Sequence, residues 1–277
     1  MASPLGPASL SPLATLLRDS IERALDPQAT VAFSGGLDST TIAWAAKQKA
    51  DITLITISVG KSPDLEVAQQ LATEMGMRLQ VVELGPDQVI RDFQACQTLM
   101  SGSATEIELM TATYALAREC HRLGGQVMLM GSGAEEVFVG YHKYYEALAR
   151  GLDLDRILLE EYRTLPQRDL ARTRAVCQKF GVEPRFPFMD ESLAQAVRTV
   201  PLAEKLDDGV AKKPLLRKLA AELGVPELAL RRPKKAMQYG SGLHKLMQRL
   251  VKEGRLPRLP SRVPEWLEKS GEKRETD

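Results

Sequence analysis

The chain of 277 residues is poor in both cysteine and histidine. Its three cysteines, Cys96, Cys120 and Cys177, are odd in number, widely separated and form no CxxC pair. That spacing argues against a disulfide framework and against a cysteine zinc site. With only His121, His142 and His244 to draw on, a histidine-rich metal centre is not expected either. No apolar run approaches the length of a bilayer span, so no membrane partner is expected. The opening "MASPLGPASLSPL" lacks the basic start and apolar core of a signal peptide, which makes the cytoplasm the expected location. A net charge of only +1 gives no global reason to expect a nucleic-acid partner. The remainder, 44% hydrophobic and 26% charged, is the composition of a globular protein with an ample core.

Residues 10–25 have the period of an amphipathic helix, and from Val31 onward strand and helix patterns alternate. "DITLITISVG", "MRLQVVEL" and "QVMLMG" read as strands. "SPDLEVAQQLATEMG", "PDQVIRDFQACQTLM" and "ATEIELMTATYALARECHRLG" read as helices between them. That alternation predicts an α/β fold, a parallel sheet with helices on both faces, over about residues 25–140. From about Tyr141 the strand signals stop, and helical periods broken by Gly and Pro predict a mostly helical part over about 141–254. The two parts are expected to form a single domain, 1–254. Residues 255–277, Pro-punctuated and charged, read as an extended tail in which Trp266 and Leu267 are the residues able to dock.

The most informative stretch is "VAFSGGLDSTTIAWAAK", beginning at Val31. A short strand meets the polar turn Ser34-Gly35-Gly36-Leu37-Asp38-Ser39-Thr40, and a helical run follows. Strand, glycine turn and helix aim unpaired backbone N–H groups and a helix's positive end at an anion. An ordinary turn with Asp38 or Ser39 as the helix N-cap is the simpler alternative. In parallel sheets ligands sit beyond the carboxyl ends of the strands, where both "SGGLDS" and "GSGAEE" fall.

Ser34–Ser39 resembles the phosphate loop of the ATP pyrophosphatases, and three further stretches in order narrow the likeness. "MGSGAEEVFVGY" (130–141) is similar to the SGEGADELFGGY element of asparagine synthetases. "RDLARTRAVCQKFGVEPRFPFMD" (168–190) resembles their D…R…GVExRxPFLD segment. "KKPLLRKLAAELGVPELALRRPKKAMQYGSG" (212–242) resembles their KxxLR…RxKxxF region. The resemblance is to the synthetase domain and implies adenylation of a carboxylate by ATP, release of pyrophosphate, and attack by an amine on the acyl-AMP. The full enzymes open with a glutaminase domain bearing a catalytic cysteine. Here Met1 is followed by Ala2 and the first cysteine is Cys96. Nitrogen is therefore expected from free ammonia, another amine or a separate glutaminase partner.

The same resemblance implies the site. Gly35 and Gly36 would let backbone approach the phosphates, Ser34 and Ser39 would donate to them, and Asp38 with Glu135 would hold Mg²⁺. Glu135 takes the family's metal-binding Asp position, one methylene longer, and Glu136 its following Glu; otherwise the pair simply opens a helix. Gly131 and Gly133, flanking Ser132, would leave room for the adenylate, and Ser58 ends the strand against which adenine lies. In "RRPKK", a basic run that could equally touch a phosphate backbone, Lys234 takes the position that neutralises leaving pyrophosphate. Lys212 and Arg217 are weaker candidates for the same pocket. Pro184 and Pro187 mark "EPRFPFMD" as a rigid loop with Asp190 capping the next helix. His142 reads as an ordinary, partly buried histidine.

Two departures stand out. Ser132 replaces the family's Glu between the glycines, and Met130 replaces the preceding Ser. Around Glu106 and Glu108 the family's Arg-Ser-Pro pattern is also missing. These changes predict an altered substrate pocket. The competing readings are an RNA-modifying ATP pyrophosphatase, for which the chain lacks the usual cysteine pair, and an interaction protein that has kept the fold.

Overall fold

The computed structural model describes residues 10–206, 212–233 and 237–260. In chain order its elements begin with α1 (Pro12–Arg23), β1 (Ala29–Ala32), α2 (Leu37–Lys47), β2 (Thr53–Ser58), α3 (Pro63–Glu74), β3 (Arg78–Glu83), α4 (Pro86–Leu99), α5 (Ala104–Arg122) and β4 (Val127–Leu129). There follow α6 (Ala134–Val137), α7 (His142–Ala149), α8 (Leu154–Thr164), α9 (Asp169–Gln178), β5 (Glu183–Arg185), α10 (Glu191–Thr199) and α11 (Leu202–Lys205). The last elements are α12 (Pro214–Glu222), α13 (Glu227–Arg231), α14 (Met237–Gly240) and α15 (Leu243–Lys252). Start signals in the sequence act where they stand. Ser62 caps α3 through its side chain ahead of Pro63, and Ser103 with Glu106 closes a capping box on α5.

Among the described residues the sheet has five strands in the order β3-β2-β1-β4-β5, every pair parallel. Side chains alternate between its faces. Val31, Leu54 and Leu129 join the cluster under α1, α2, α3 and α12, while Ile55, Ile57 and Met128 join the one under α4, α5, α9 and α15. Burial on both faces explains why these strands read as near-continuous apolar runs.

β5 corrects the expectation that strands end near Tyr141. Residues 183–185 pair with Val127–Leu129 in parallel register, yet the segment is three residues long and holds Pro184, which suppresses a strand signal. Proline is tolerated there because this is an edge strand. The adjoining prediction holds: Asp190 caps α10 through its carboxylate, which accepts from Leu193 N at 3.0 Å. The start of the tail also differs from a free extension. Leu256 is buried, and Pro260 O accepts from Ala104 N at 2.8 Å. Trp266 and Leu267 lie outside the described residues. No described helix is long and apolar enough to cross a membrane.

Candidate active site

β1, β2 and β4 end at one edge of the sheet, and α5–α9, α12, α14 and α15 wall in a cleft of about 2370 Å³ over it. Small-molecule sites commonly measure about 300–1,000 Å³, so this one has room for two ligands.

The glycine turn lies on its floor. Gly35 has φ +65°, and a Cβ there would press on the Ala68 backbone and the Arg232 guanidinium. α2 begins with Gly36 as N-cap and has no side-chain cap, so neither Asp38 nor Ser39 plays the capping role of the simpler alternative. Its first-turn N–H groups, which have no partner within the helix, face the cleft with the positive end of the dipole. The two serines fold the loop on itself. Ser34 N donates to Ser39 Oγ at 3.2 Å, Gly36 N to Ser34 Oγ at 3.3 Å, and Ser39 Oγ to Gly36 O at 3.2 Å. Donation to a phosphate would cost Ser39 its bond to Gly36 O, while Ser34 would give up no more than its 3.3 Å contact with Ser39 Oγ.

Asp38, at the head of α2, and Glu135, on α6, meet over a single cation that the sequence reading missed. Lys213 Nζ lies 2.8 and 2.7 Å from the Asp38 oxygens and 2.9 Å from Glu135 Oε1. The Lys213 side chain is only 2% exposed. Burial pushes the ammonium's pKa below its usual value, and the Asp38 carboxylate opposes that shift. The residue adopts a left-handed conformation, φ 60°, just before α12, which costs a non-glycine residue roughly 1–2 kcal/mol. The signal for it was present: counted back from Leu216-Arg217, the KxxLR pattern lands on Lys213, whereas the register above chose Lys212. Lys212 does line the cleft.

The donor set fits a magnesium ion. Two carboxylates from different elements converge where an ammonium stands in for a cation, and Mg²⁺ favours one or two carboxylates supplemented by phosphate oxygens. Asp38 and Glu135 would be its protein ligands. No group of three or more His, Cys, Asp or Glu converges among the described residues, so a cage made of protein alone is not on offer there.

Arg232 braces the loop from the other side. Its Nη1 donates to Ser34 O at 2.7 Å, and its Nη2 contacts the buried Asp64 at the start of α3. Arg217 holds the chain that carries both cations. Its guanidinium donates to Lys212 O at 2.8 Å, to Arg232 O at 3.0 Å and to Leu230 O. Arg217 therefore positions the cation-bearing segments through their carbonyls. Lys234, the residue assigned to leaving pyrophosphate, falls outside the described residues, as do Lys235 and Ala236.

The far wall, below β4, is charged. Glu136 lines the cleft and is 4% exposed. Burial pushes its carboxyl up to about 7, and the negative charge of Glu161 adds to the rise. Glu161 is itself neutralised by Lys143, at 2.5 and 2.6 Å, and accepts from Tyr144 Oη at 2.8 Å. Arg172 pairs with Glu106 at 2.8 Å and with Asp169 at 3.3 Å. Apart from Glu136, Arg172 and Glu106, these groups belong to helices whose polar faces resemble any solvated surface in the sequence.

Several expectations are corrected. Gly131 and Gly133 border the cleft, but protein takes the space their missing side chains leave. A Cβ on Gly131 would meet Asp38, and one on Gly133, which has φ +94°, would meet Met189. Ser58 does not line the cleft. Its hydroxyl is buried against Gly60 O at 2.7 Å and Ser62 Oγ at 2.9 Å, and the neighbouring Val59 takes the wall position. His142 is exposed rather than partly buried, with its imidazole on Glu146. Ser132 is on the wall as expected.

The class defined by fold and site is a parallel α/β protein with an anion cradle and a buried cation cluster at the strand ends. The asparagine synthase family model matches residues 12–154 and 146–269, and the chain belongs to that family, whose members use ATP. It is 26% identical over 258 residues to a putative glutamine-hydrolysing asparagine synthetase 1 of Methanocaldococcus jannaschii, covering 79% of this chain and 47% of that protein. It is 29% identical over 248 residues to the glutamine-hydrolysing asparagine synthetase B of Escherichia coli, covering 82% of this chain and 44% of that one. The chain thus spans about half the length of these relatives. Among solved structures, the U34-tRNA thiolase NcsA of Methanococcus maripaludis aligns over 87% of this chain and 74% of that one, with 13% identity and a TM-score of 0.41. A likeness that loose carries no argument.

Proposed function

We propose that the chain is an ATP-dependent, AMP-forming amide synthase that adenylates a carboxylate, releases pyrophosphate and passes the acyl group to ammonia or another amine. The observation that carries this reading is the convergence of Asp38, Glu135 and Lys213 beside the Ser34–Ser39 loop. An anion cradle and a cation site placed together suit a polyphosphate whose leaving end must be neutralised as the bond breaks.

The Gly35-Gly36 turn and the head of α2 bind the phosphates. Arg232, fixed on Ser34 O and Asp64, keeps the loop open. Asp38 and Glu135 would hold Mg²⁺, which when bound neutralises phosphate charge. By the family resemblance, Lys234 meets the developing charge on pyrophosphate. The wall formed by Glu136, Asp169 and Arg172 borders the space left for the carboxylate and the amine, and with Ser132 at its head that space differs from the family pattern. The acyl acceptor in this reading is ammonia or another amine.

Exchange of labelled pyrophosphate into ATP, measured over a panel of carboxylic acids that includes aspartate, tests the reading. Carboxylate-dependent exchange is expected. Formation of ADP and orthophosphate instead would overturn it.

A further inference from the structure

The contact between Lys213 and its two carboxylates is flanked by strained backbone. Among the described residues only Val139 and Lys213 have a positive φ without being glycine, at 56° and 60°. A β-branched residue in that region is a genuine outlier. The asparagine synthetase element aligned above has Gly where this chain has Val139, so the strain there belongs to this chain. Strain of this kind persists only where the surroundings impose it, and it gathers at sites that switch.

Both strained residues press on the same contact. Val139 is fully buried in a cluster with Tyr144, Leu154 and Leu158. It leads into Gly140, whose missing side chain gives the Glu135 carboxylate and the Lys213 stem their room. On the other side Arg217 Nε donates to Lys212 O at 2.8 Å and fixes the residue before Lys213. The ammonium is thereby held between Asp38 and Glu135, 2.7 Å from one and 2.9 Å from the other, on a side chain that is buried. A divalent ion drawn to these two carboxylates would stand beside a buried positive charge, where little water screens the repulsion.

We propose that Lys213 is an autoinhibitory counter-ion: its ammonium and a divalent cation exclude one another between Asp38 and Glu135, so the chain is closed to free Mg²⁺ until Lys213 leaves. The inference rests on the fit of the two carboxylates to Mg²⁺ and is independent of the reaction the cleft carries out. Departure of Lys213 relieves its left-handed backbone, which lowers the cost of opening the site.

Titration of the full chain with Mn²⁺ in place of Mg²⁺, without nucleotide and with the free ion counted by electron paramagnetic resonance, tests it. The wild type is expected to bind the ion weakly. Lys213→Gly suits the left-handed backbone, and Lys213→Gln keeps a side chain without the charge. Each should bind one ion at least about tenfold more tightly than the wild type. Lys213→Arg, which keeps the charge, should stay weak, and adding Asp38→Asn to Lys213→Gly should abolish the gain. Circular dichroism confirms that each variant is folded. Neutral variants that gain nothing, a gain that appears with Lys213→Arg, or one that survives Asp38→Asn overturns the proposal. A wild type that takes up one equivalent of Mn²⁺ at micromolar levels overturns it without any variant. Each of these results leaves the amide synthase reading to the pyrophosphate exchange.

Discussion

Replacing Gly140 by alanine should break the cation site without touching any of its side chains. Gly140 follows α6, and its N–H donates to Glu135 O at 2.9 Å. Its φ is not positive, so alanine meets no backbone penalty there. The added methyl, however, would land on the Glu135 carboxylate and the Lys213 stem. Overpacking of this kind costs about 1–3 kcal/mol. Moving the Glu135 carboxylate aside strains its 2.9 Å contact with Lys213, and breaking a buried pair costs about 3–5 kcal/mol. Because Lys213 keeps Asp38, only part of that second figure applies, and a total of about 2–5 kcal/mol is expected. Urea unfolding at neutral pH measures it. Gly85→Ala serves as the control, since a methyl there enters open space. If Gly140→Ala unfolds within about 0.5 kcal/mol of the wild type, as ordinary surface changes do, the packing of Glu135 and Lys213 against this glycine is wrong.

Lys213→Met removes the shared cation and leaves two carboxylates facing each other. A loss of about 3 kcal/mol in urea unfolding is expected, partly recovered by added Mg²⁺; full wild-type stability would count against the buried contact. Glu136 has its pKa raised to about 7 from 4.5, so the folded chain holds a proton that the unfolded chain releases between those values. The stability this confers is complete below about pH 4.5 and is lost as pH rises to about 7, a fall of about 3 kcal/mol. Glu136→Gln should flatten that part of the curve, and an unchanged slope in urea midpoints between pH 5 and pH 8 would refute it. Lys234→Ala should slow pyrophosphate exchange by roughly two to three powers of ten, whereas Lys235→Ala should change it little; equal small losses would mean a solvated loop.

Local chemistry was legible where it acts through neighbours in the chain. The strand before Ser34, the Gly35 turn, α3 behind Pro63 and the Asp190 cap all rest on contacts within a few residues, and each is found. What escaped depends on distant partners. Lys213 lies 175 residues from Asp38 and 78 from Glu135, so nothing beside it in sequence announces a buried charge. The Lys143–Glu161–Tyr144 group likewise spans two helices whose charges look solvated. Gly131 and Gly133 do border the cleft, but that Asp38 and Met189 pack where their side chains would stand depends on distant parts of the chain. β5 was masked by its own proline.

That proline has a consequence for how the molecule meets others of its kind. β5 closes one side of the sheet, and a strand of three residues with no N–H at Pro184 offers almost nothing for a further chain to zip onto. The opposite side is β3, whose Arg78 and Glu83 are exposed. Charges placed there discourage lateral addition of strands. Among the described residues, then, neither flank of the sheet is a bare, uncharged edge, and the helical surfaces are the broader ground on which two copies could meet.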